Sequence, residues 1–342
     1  MNSIDLLWTV IVSKNLGCTA VGLQSDLHNC IADQLLPFGD QLFATPEIIQ
    51  SGVSGIGNQF REDAEVYEAR YSVNSKRRSI ELGLAGSNAV LGDAIVALDI
   101  GCGPGDVTIT LLEMFKNAHV YSTDLSPEML MLLVAKINRL GLTGKVTPFV
   151  SNASSVNLRH QAFDLIVGSS MIHHLMEPDV FLDRTLQSLK PNGIALFYEP
   201  FQAGHVVLRT ILSSIVEIAP YRSGLSAKRT KFFRDYIYTI YVMCSEDRDP
   251  SSYASLDDKF MFATATFRKA AERNSCLIAI TPTNPPENTF ALKLQDLLRQ
   301  GLGDTDPLPD WCNELVSQTD LAVSKSARSE LLLEACITFT RR

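Results

Sequence analysis

Hydrophobic positions in the middle of the chain alternate between short unbroken runs and helical spacing. Ile95-Val96-Ala97-Leu98 is an unbroken run, as a strand buried on both faces requires. Asp106 to Phe115 then places Val107, Ile109, Leu111, Leu112 and Phe115 at intervals that suit a helix. A second strand is expected at His119–Asp124 and a helix from Pro127 to Leu140, with Pro127 in the first helical position and Gly141 as the C-terminal cap. Further strands are expected at Val146–Val150, Phe163–Gly168, Ile194–Tyr198, Cys276–Ile280 and Leu331–Thr340, with Leu189–Gly193 as a turn. Strands that alternate with helices make a doubly wound α/β sheet, Rossmann-like, mostly parallel and here seven-stranded.

The flanks read differently. The first 85 residues are mostly helical by pattern: Thr45-Pro46-Glu47 is a helix start, Ser51–Asn58 a Gly/Ser-rich loop, and Arg61–Tyr71 a periodic stretch with Tyr67 and Tyr71 on one face. Gly204–Arg273 is too long for an ordinary strand-helix-strand connection. It carries the basic aromatic stretch Lys228–Tyr238 and the acidic Ser245–Pro250, and is expected to form a helical lid. Pro282–Glu330 carries a second helical insertion. The expected organisation is an N-terminal helical extension over 1–85, a Rossmann-like core over 86–203, a helical lid over 204–274 and the rest of the core sheet over 275–342.

The candidate chemistry sits where the first core strand meets the first core helix. Asp99-Ile-Gly-Cys-Gly-Pro-Gly105 brings bare backbone close to a ligand and tolerates unusual dihedrals. Dinucleotide-binding turns are Gly-x-Gly-x-x-Gly. Here the glycines fall at 101, 103 and 105, behind the acid Asp99. Asp124 closes the next strand 19 residues past Gly105, a distance at which an acid commonly takes ribose hydroxyls. Asp124 or Ser126 is also placed to cap the helix that follows.

The ordered set resembles the motifs of class I S-adenosylmethionine-dependent methyltransferases, of the small-molecule type and similar around the core to the ubiquinone and menaquinone biosynthesis enzymes. The resemblance runs from about Ile95 to Pro200. It implies S-adenosylmethionine as cofactor and S-adenosylhomocysteine as its product. It places Asp99, Gly101, Cys102, Gly103 and Gly105 at the cofactor, Asp124 on the ribose, and Leu125 and Met129 along the adenine. Asn152-Ala153-Ser154, where many members have Asp-Ala, would meet the adenine amino group, and Ser169 opens the loop after the fourth core strand. Tyr67 and Tyr71 either close over the cofactor or pack on the sheet. His173, His174 and Glu199 lie at strand ends where a base for the acceptor could stand. The implied reaction is in-line methyl transfer to carbon, oxygen or nitrogen of a small, partly apolar metabolite. A protein or RNA methyltransferase and a non-methylating cofactor-binding scaffold stay open as alternatives.

Composition narrows the partners. A chain of 342 residues, 46% hydrophobic, holds one large domain with additions. A net charge of −8 counts against a nucleic-acid partner. Seven cysteines, an odd number without metal-ligand spacing, read as reduced thiols of a cytoplasmic protein. The apolar run Ile4–Val12 is interrupted by Asp5, too short to span a bilayer and without a basic residue ahead of it, so no membrane span is expected; a homodimer is left open. His173-His174 have no acid or Cys cluster beside them in sequence and adjacent loop histidines diverge, so no metal is expected. Thr283-Asn-Pro-Pro-Glu287 reads as a surface turn.

Overall fold

The computed structural model describes residues 30–54, 60–61, 63–71, 76–87, 89–245, 248–283 and 289–342. The Ile4–Val12 run, residues 55–58 of the Ser51–Asn58 loop, residues 284–287 and the Tyr71 side chain lie outside the described residues.

The chain opens with two short strands, β1 (Leu36–Gly39) and β2 (Leu42–Ala44), then helices α1 (Pro46–Ser51), α2 (Ala64–Tyr71) and α3 (Arg77–Ala85). The core follows as β3 (Val96–Ile100), α4 (Asp106–Met114), β4 (His119–Asp124), α5 (Pro127–Arg139), β5 (Val146–Val150), β6 (Phe163–Ser169), α6 (Pro178–Gln187) and β7 (Leu189–Pro200). Beyond it come α7 (Gln202–Ile218), α8 (Ala227–Cys244), α9 (Thr264–Arg273), β8 (Cys276–Pro282), α10 (Thr289–Leu302), α11 (Asp310–Ala322), α12 (Lys325–Arg328) and β9 (Glu334–Arg341).

One sheet runs β1-β2-β5-β4-β3-β6-β7-β9-β8. The strands from β2 to β7 in this order are parallel, and β9 is antiparallel to both its neighbours. The seven expected strands lie side by side from β5 to β8, but the expected count of seven is corrected to nine among the described residues. The two added strands come from a segment read as mostly helical. At four and three residues they are too short to show a period. Their hairpin turns at Asp40-Gln41, with Gln41 at φ 63°, and buries Leu42 and Ala44 against the sheet. Pro37 is tolerated because β1 is an edge strand. The turn expected at Leu189–Gly193 is instead a bulge inside β7. Pairing jumps from Phe163–Leu189 to Leu165–Ile194, with Asn192 at φ 62°.

Alternation along the central strands feeds two cores. Ala97, Leu165, Val167 and Leu196 face the layer of α1, α3, α4 and α5, where Ile48, Ile80, Leu111 and Leu133 are buried. Leu98, Ile100, Ile166 and Phe197 face the layer of α6 and α9, with Phe181, Leu182 and Phe267. Each such Leu, Ile, Val or Phe side chain, fully buried, contributes about 1.5–3 kcal/mol. The N-terminus of α5 forms as its sequence dictates: Ser126 Oγ accepts from Met129 N at 3.1 Å, Pro127 follows, and Gly141 takes φ 67° after the last turn.

The lid expected across 204–274 divides in two. Phe267, Ala270 and Ala271 place α9 on the sheet as an ordinary crossover helix. α7 and α8 instead join α10 and α11 in a third cluster, with Leu208, Ile211, Leu212, Phe233, Leu294, Leu298 and Val316 at its centre. Two stretches far apart in sequence thus build one helical layer. Arg229 on α8 clamps it, donating to both carboxylate oxygens of Asp304 at 2.8 and 2.7 Å and to the carbonyls of Asp306 and Pro307. By length and composition the Gln202–Tyr221 stretch containing α7 could cross a bilayer; here one face of it is buried in this layer.

Candidate functional site

The strand order reverses between β3 and β6, so a crevice opens at their C-terminal ends. The glycine turn lies there. Gly101 N and Cys102 N both donate to the Thr123 carbonyl, at 2.8 and 3.0 Å, which ties the turn to the end of β4. Gly101, Gly103 and Gly105 have φ of 68°, 50° and 88°. They serve different needs. A Cβ on Gly101 would meet Met171 Cβ at 2.8 Å, and one on Gly105 would run into Leu133 of α5. A Cβ on Gly103 would meet nothing within 4 Å. The close approach expected at all three glycines therefore applies to Gly103, while Gly101 and Gly105 are held by packing.

Two acids frame the turn. Asp99 is buried under it and accepts from Thr108 Oγ1 at 2.6 Å, with Ser122 behind at 2.8 Å from Thr108. Burial pushes its carboxyl up to about 7; the Thr108 hydrogen bonds oppose the rise and the charges of Asp124 and Asp106 add to it. Asp124 accepts from Gly103 N at 2.8 Å and from Ser126 N at 2.9 Å, so it braces the turn as well as closing β4. Loss of solvent raises its pKa against those hydrogen bonds.

Across the crevice, β6 leads through Ser170, at φ 55°, into a tight helical turn over Ile172–His174. Glu199, its side chain wholly buried near the end of β7, holds that turn. One carboxylate oxygen accepts from Met171 N at 3.0 Å and Ile172 N at 2.8 Å; the other accepts from His173 N at 3.4 Å and His173 Nδ1 at 2.6 Å. With four donors on it, Glu199 positions the loop and is not free to act as the base expected of it. The expectation that the histidines diverge, without an acid, is overturned. Their ring centroids are 4.2 Å apart, and Asp258 Oδ1 is 3.4 Å from both His173 Nε2 and His174 Nδ1. His174 Nδ1 also lies 2.8 Å from the Asp257 carbonyl. Lys259 N donates to the His173 carbonyl at 2.8 Å, which brings Asp258 to the pair. Burial opposes a proton on His173, but Glu199 and Asp258 outweigh it and raise its pKa to about 10. Burial and the neighbouring His173 charge lower that of His174.

These parts share a cavity of about 660 Å³. Of the residues expected at the cofactor, Tyr67, Asp99, Gly101, Cys102, Gly103 and Ser169 border it; so do His173, His174 and Glu199. Of the others, Tyr71 has no described side chain and the rest stand away from the wall. Gly105 packs on Leu133, Met129 is buried in α5, and Asp124 and Leu125 lie beyond the turn. Asn152 folds its side-chain oxygen back onto Ser154 N at 2.9 Å, and Ala153 packs on the core. The expected lid supplies Tyr236 and Met243 of α8 to the opposite wall, while sequence reasoning missed Lys293, Asp296 and Arg299 on α10 and the meeting of Asp258 with the histidines. Lys293 forms an ion pair with Glu334 in this wall. The polar residues of α10 recur every three residues, which marks one helical face; Asp258 has no such signal, because only the fold brings it to the histidines.

A family model described as a methyltransferase domain matches residues 97–193. Over this stretch the chain is similar to methyltransferase domains. The family resemblance of the glycine turn and the strands after it is thereby borne out. The chain is 28% identical over 122 residues to a trans-aconitate 2-methyltransferase of Methylobacterium radiotolerans, covering 35% of this chain and 44% of that one. It is 29% identical over 119 residues to a ubiquinone/menaquinone biosynthesis C-methyltransferase of Syntrophotalea carbinolica, covering 35% and 46%. A malonyl-[acyl-carrier protein] O-methyltransferase of Halalkalibacterium halodurans is 26% identical over 148 residues, covering 42% and 53%. The chain spans about half the length of these curated relatives. The methyltransferase domain and its additions share a fold with a Galdieria sulphuraria structure assigned as a sarcosine dimethylglycine methyltransferase, at TM-score 0.50 and 13% identity over 82% of this chain and 98% of that one.

Proposed function

We propose that the chain transfers a methyl group from S-adenosylmethionine to a small molecule held between the sheet and the helical layer. The observation that carries this reading is continuity: the glycine turn on one side and α8 and α10 on the other border a single cavity. The residues present fit the cofactor. Gly103 offers bare backbone with open space above it, and the Asp99 carboxyl beneath is a partner for an ammonium group. By resemblance Asp124 is assigned to the ribose and Leu125, Met129 and Asn152–Ser154 to the adenine. Asp124 must then share its oxygens between the ligand and the turn it braces.

The cofactor, when bound, supplies an activated methyl group. The chain's own contribution is alignment and exclusion of water. Tyr67 and Phe60, whose rings meet edge-on at 5.2 Å, wall the cavity beside the turn. Glu199 fixes the loop that presents His173 and His174 to the acceptor. Met243, Met261 and Ile80 offer apolar contact, while Lys293, Arg299 and Tyr236 offer polar contact. An acceptor with an apolar body and a polar group suits both. A wall of helices opposite the turn favours such a metabolite over a protein or RNA strand.

Calorimetry and labelled methyl transfer test the reading. S-adenosylmethionine and S-adenosylhomocysteine should bind and NAD should not, and label should pass into a low-mass metabolite fraction. Failure to bind either cofactor form sinks the proposal. Binding without transfer to any fraction leaves a scaffold, and label on protein or RNA moves the substrate class.

A further inference from the structure

We propose that His173, His174 and Asp258 form a binding site for a divalent transition-metal cation, of the zinc, cobalt or manganese kind, on the wall of the cavity. One donor atom from each residue lies within 4.8 Å of the other two. A cation about 2.0–2.2 Å from each donor would draw them somewhat closer. Asp258, with its side chain 54% exposed, can make that movement.

The surroundings of the imidazoles are those of ligands. A metal-bound histidine usually donates its other ring N–H to a carboxylate or a backbone carbonyl, which fixes the tautomer and turns the remaining nitrogen toward the metal. His173 has Nδ1 on Glu199 at 2.6 Å and Nε2 toward Asp258, and a cation at Nε2 takes the place of the proton that the two carboxylates favour there. His174 has Nδ1 2.8 Å from the Asp257 carbonyl and 3.4 Å from Asp258 Oδ1, so this nitrogen faces both. The outer partner of His173, a fully buried carboxylate, is thus in place. The ammonium of Lys259, next to Asp258 in sequence, is directed to the carbonyls of Leu256 and Asp257. Two imidazoles and a carboxylate suit borderline cations better than magnesium or calcium, which prefer oxygen donors throughout. Three protein ligands also leave a coordination position open. All three residues border the cavity, so that position is available to an oxygen or nitrogen of a molecule bound there. The site stands on this geometry alone; only its use in methyl transfer rests on the proposed function.

The test uses the full chain after treatment with a chelator. It is titrated with Co²⁺, followed by calorimetry and visible absorption, with Zn²⁺ as competitor. One equivalent of Co²⁺ should bind, with ligand-field bands that Zn²⁺ removes. Asp258→Ala, on an exposed loop, should weaken binding at least tenfold and His174→Ala likewise. Glu199→Gln should weaken it about 10–100-fold, as loss of an outer partner does. No uptake by the unaltered chain overturns the proposal, and so does equal uptake by Asp258→Ala and His174→Ala with unchanged circular dichroism. S-adenosylmethionine binding is measured on the same samples. Co²⁺ binding without cofactor binding would defeat the methyltransferase reading and leave this site standing; the reverse would defeat this site alone.

Discussion

Gly103 and Gly105 sit two residues apart in one turn, yet substitution should affect them differently. Gly103→Val has open space for its side chain and carries the strain of a left-handed φ of 50°, about 1–2 kcal/mol, so the fold should survive while cofactor affinity falls at least tenfold, about 1.4 kcal/mol. Gly105→Ala shares the left-handed strain and meets Leu133 besides. It should cost about 2–5 kcal/mol of stability in denaturant titration, the sum of left-handed strain and overpacking. If Gly103→Val is instead the unstable variant, the two roles are reversed. Asp99 gives a pH signature. Its folded pKa, about 7, is raised from an ordinary 3.8, so its contribution to stability is fully present below about 4 and is lost as pH rises toward 7. A cationic ligand prefers the ionised form. Affinity for S-adenosylmethionine should therefore rise between pH 5 and 7.5, and Asp99→Asn should flatten that rise. A slope that persists in Asp99→Asn must come from elsewhere, and Asp124, whose carboxyl pKa burial also raises, is the next group to replace. At this scale the turn was legible from glycine spacing alone. Asp258 was not, since no local pattern ties it to two histidines on another loop.

The elements that read well are those whose period and caps agree. β4 and β5 were placed to the residue, and α5 within one, because apolar runs and the Ser126-Pro127 and Gly141 signals coincide. β1 and β2 escaped because hairpin pairing, and not periodicity, makes them strands. The helical insertions were legible as helices but not as one layer, since their shared core depends on contacts between α7, α8, α10 and α11. Arg229 is the clamp across that layer. Arg229→Ala should speed hydrogen exchange in these four helices while leaving β3–β7 protected. Uniform loss of protection would mean that layer and sheet melt as one unit. Ligand binding should in turn protect α8 and α10, whose side chains border the cavity; no change there would remove them from the site.

The whole molecule combines a sheet whose family match runs over residues 97–193 with a helical layer assembled from either side of β8. Tyr67→Ala tests how the N-terminal helices belong to it. Because Tyr67 borders the cavity, its loss should weaken cofactor affinity or turnover more than the melting temperature, and a purely thermal effect would make it a packing residue. The position of β9 reaches further, into the history of each molecule. β9 follows every other described strand in the chain, yet it lies between β7 and β8, and β8 has no other neighbour. As the chain leaves the ribosome, β7 must wait with a bare, apolar edge, carrying Ala195 and Phe197, while α7 through α12 are synthesised. That delay lasts several seconds or more at ordinary synthesis rates, long enough for a nascent edge to find the wrong partner. A chain halted within α11 would already hold its glycine turn and most of its helical layer, but its sheet would still be open.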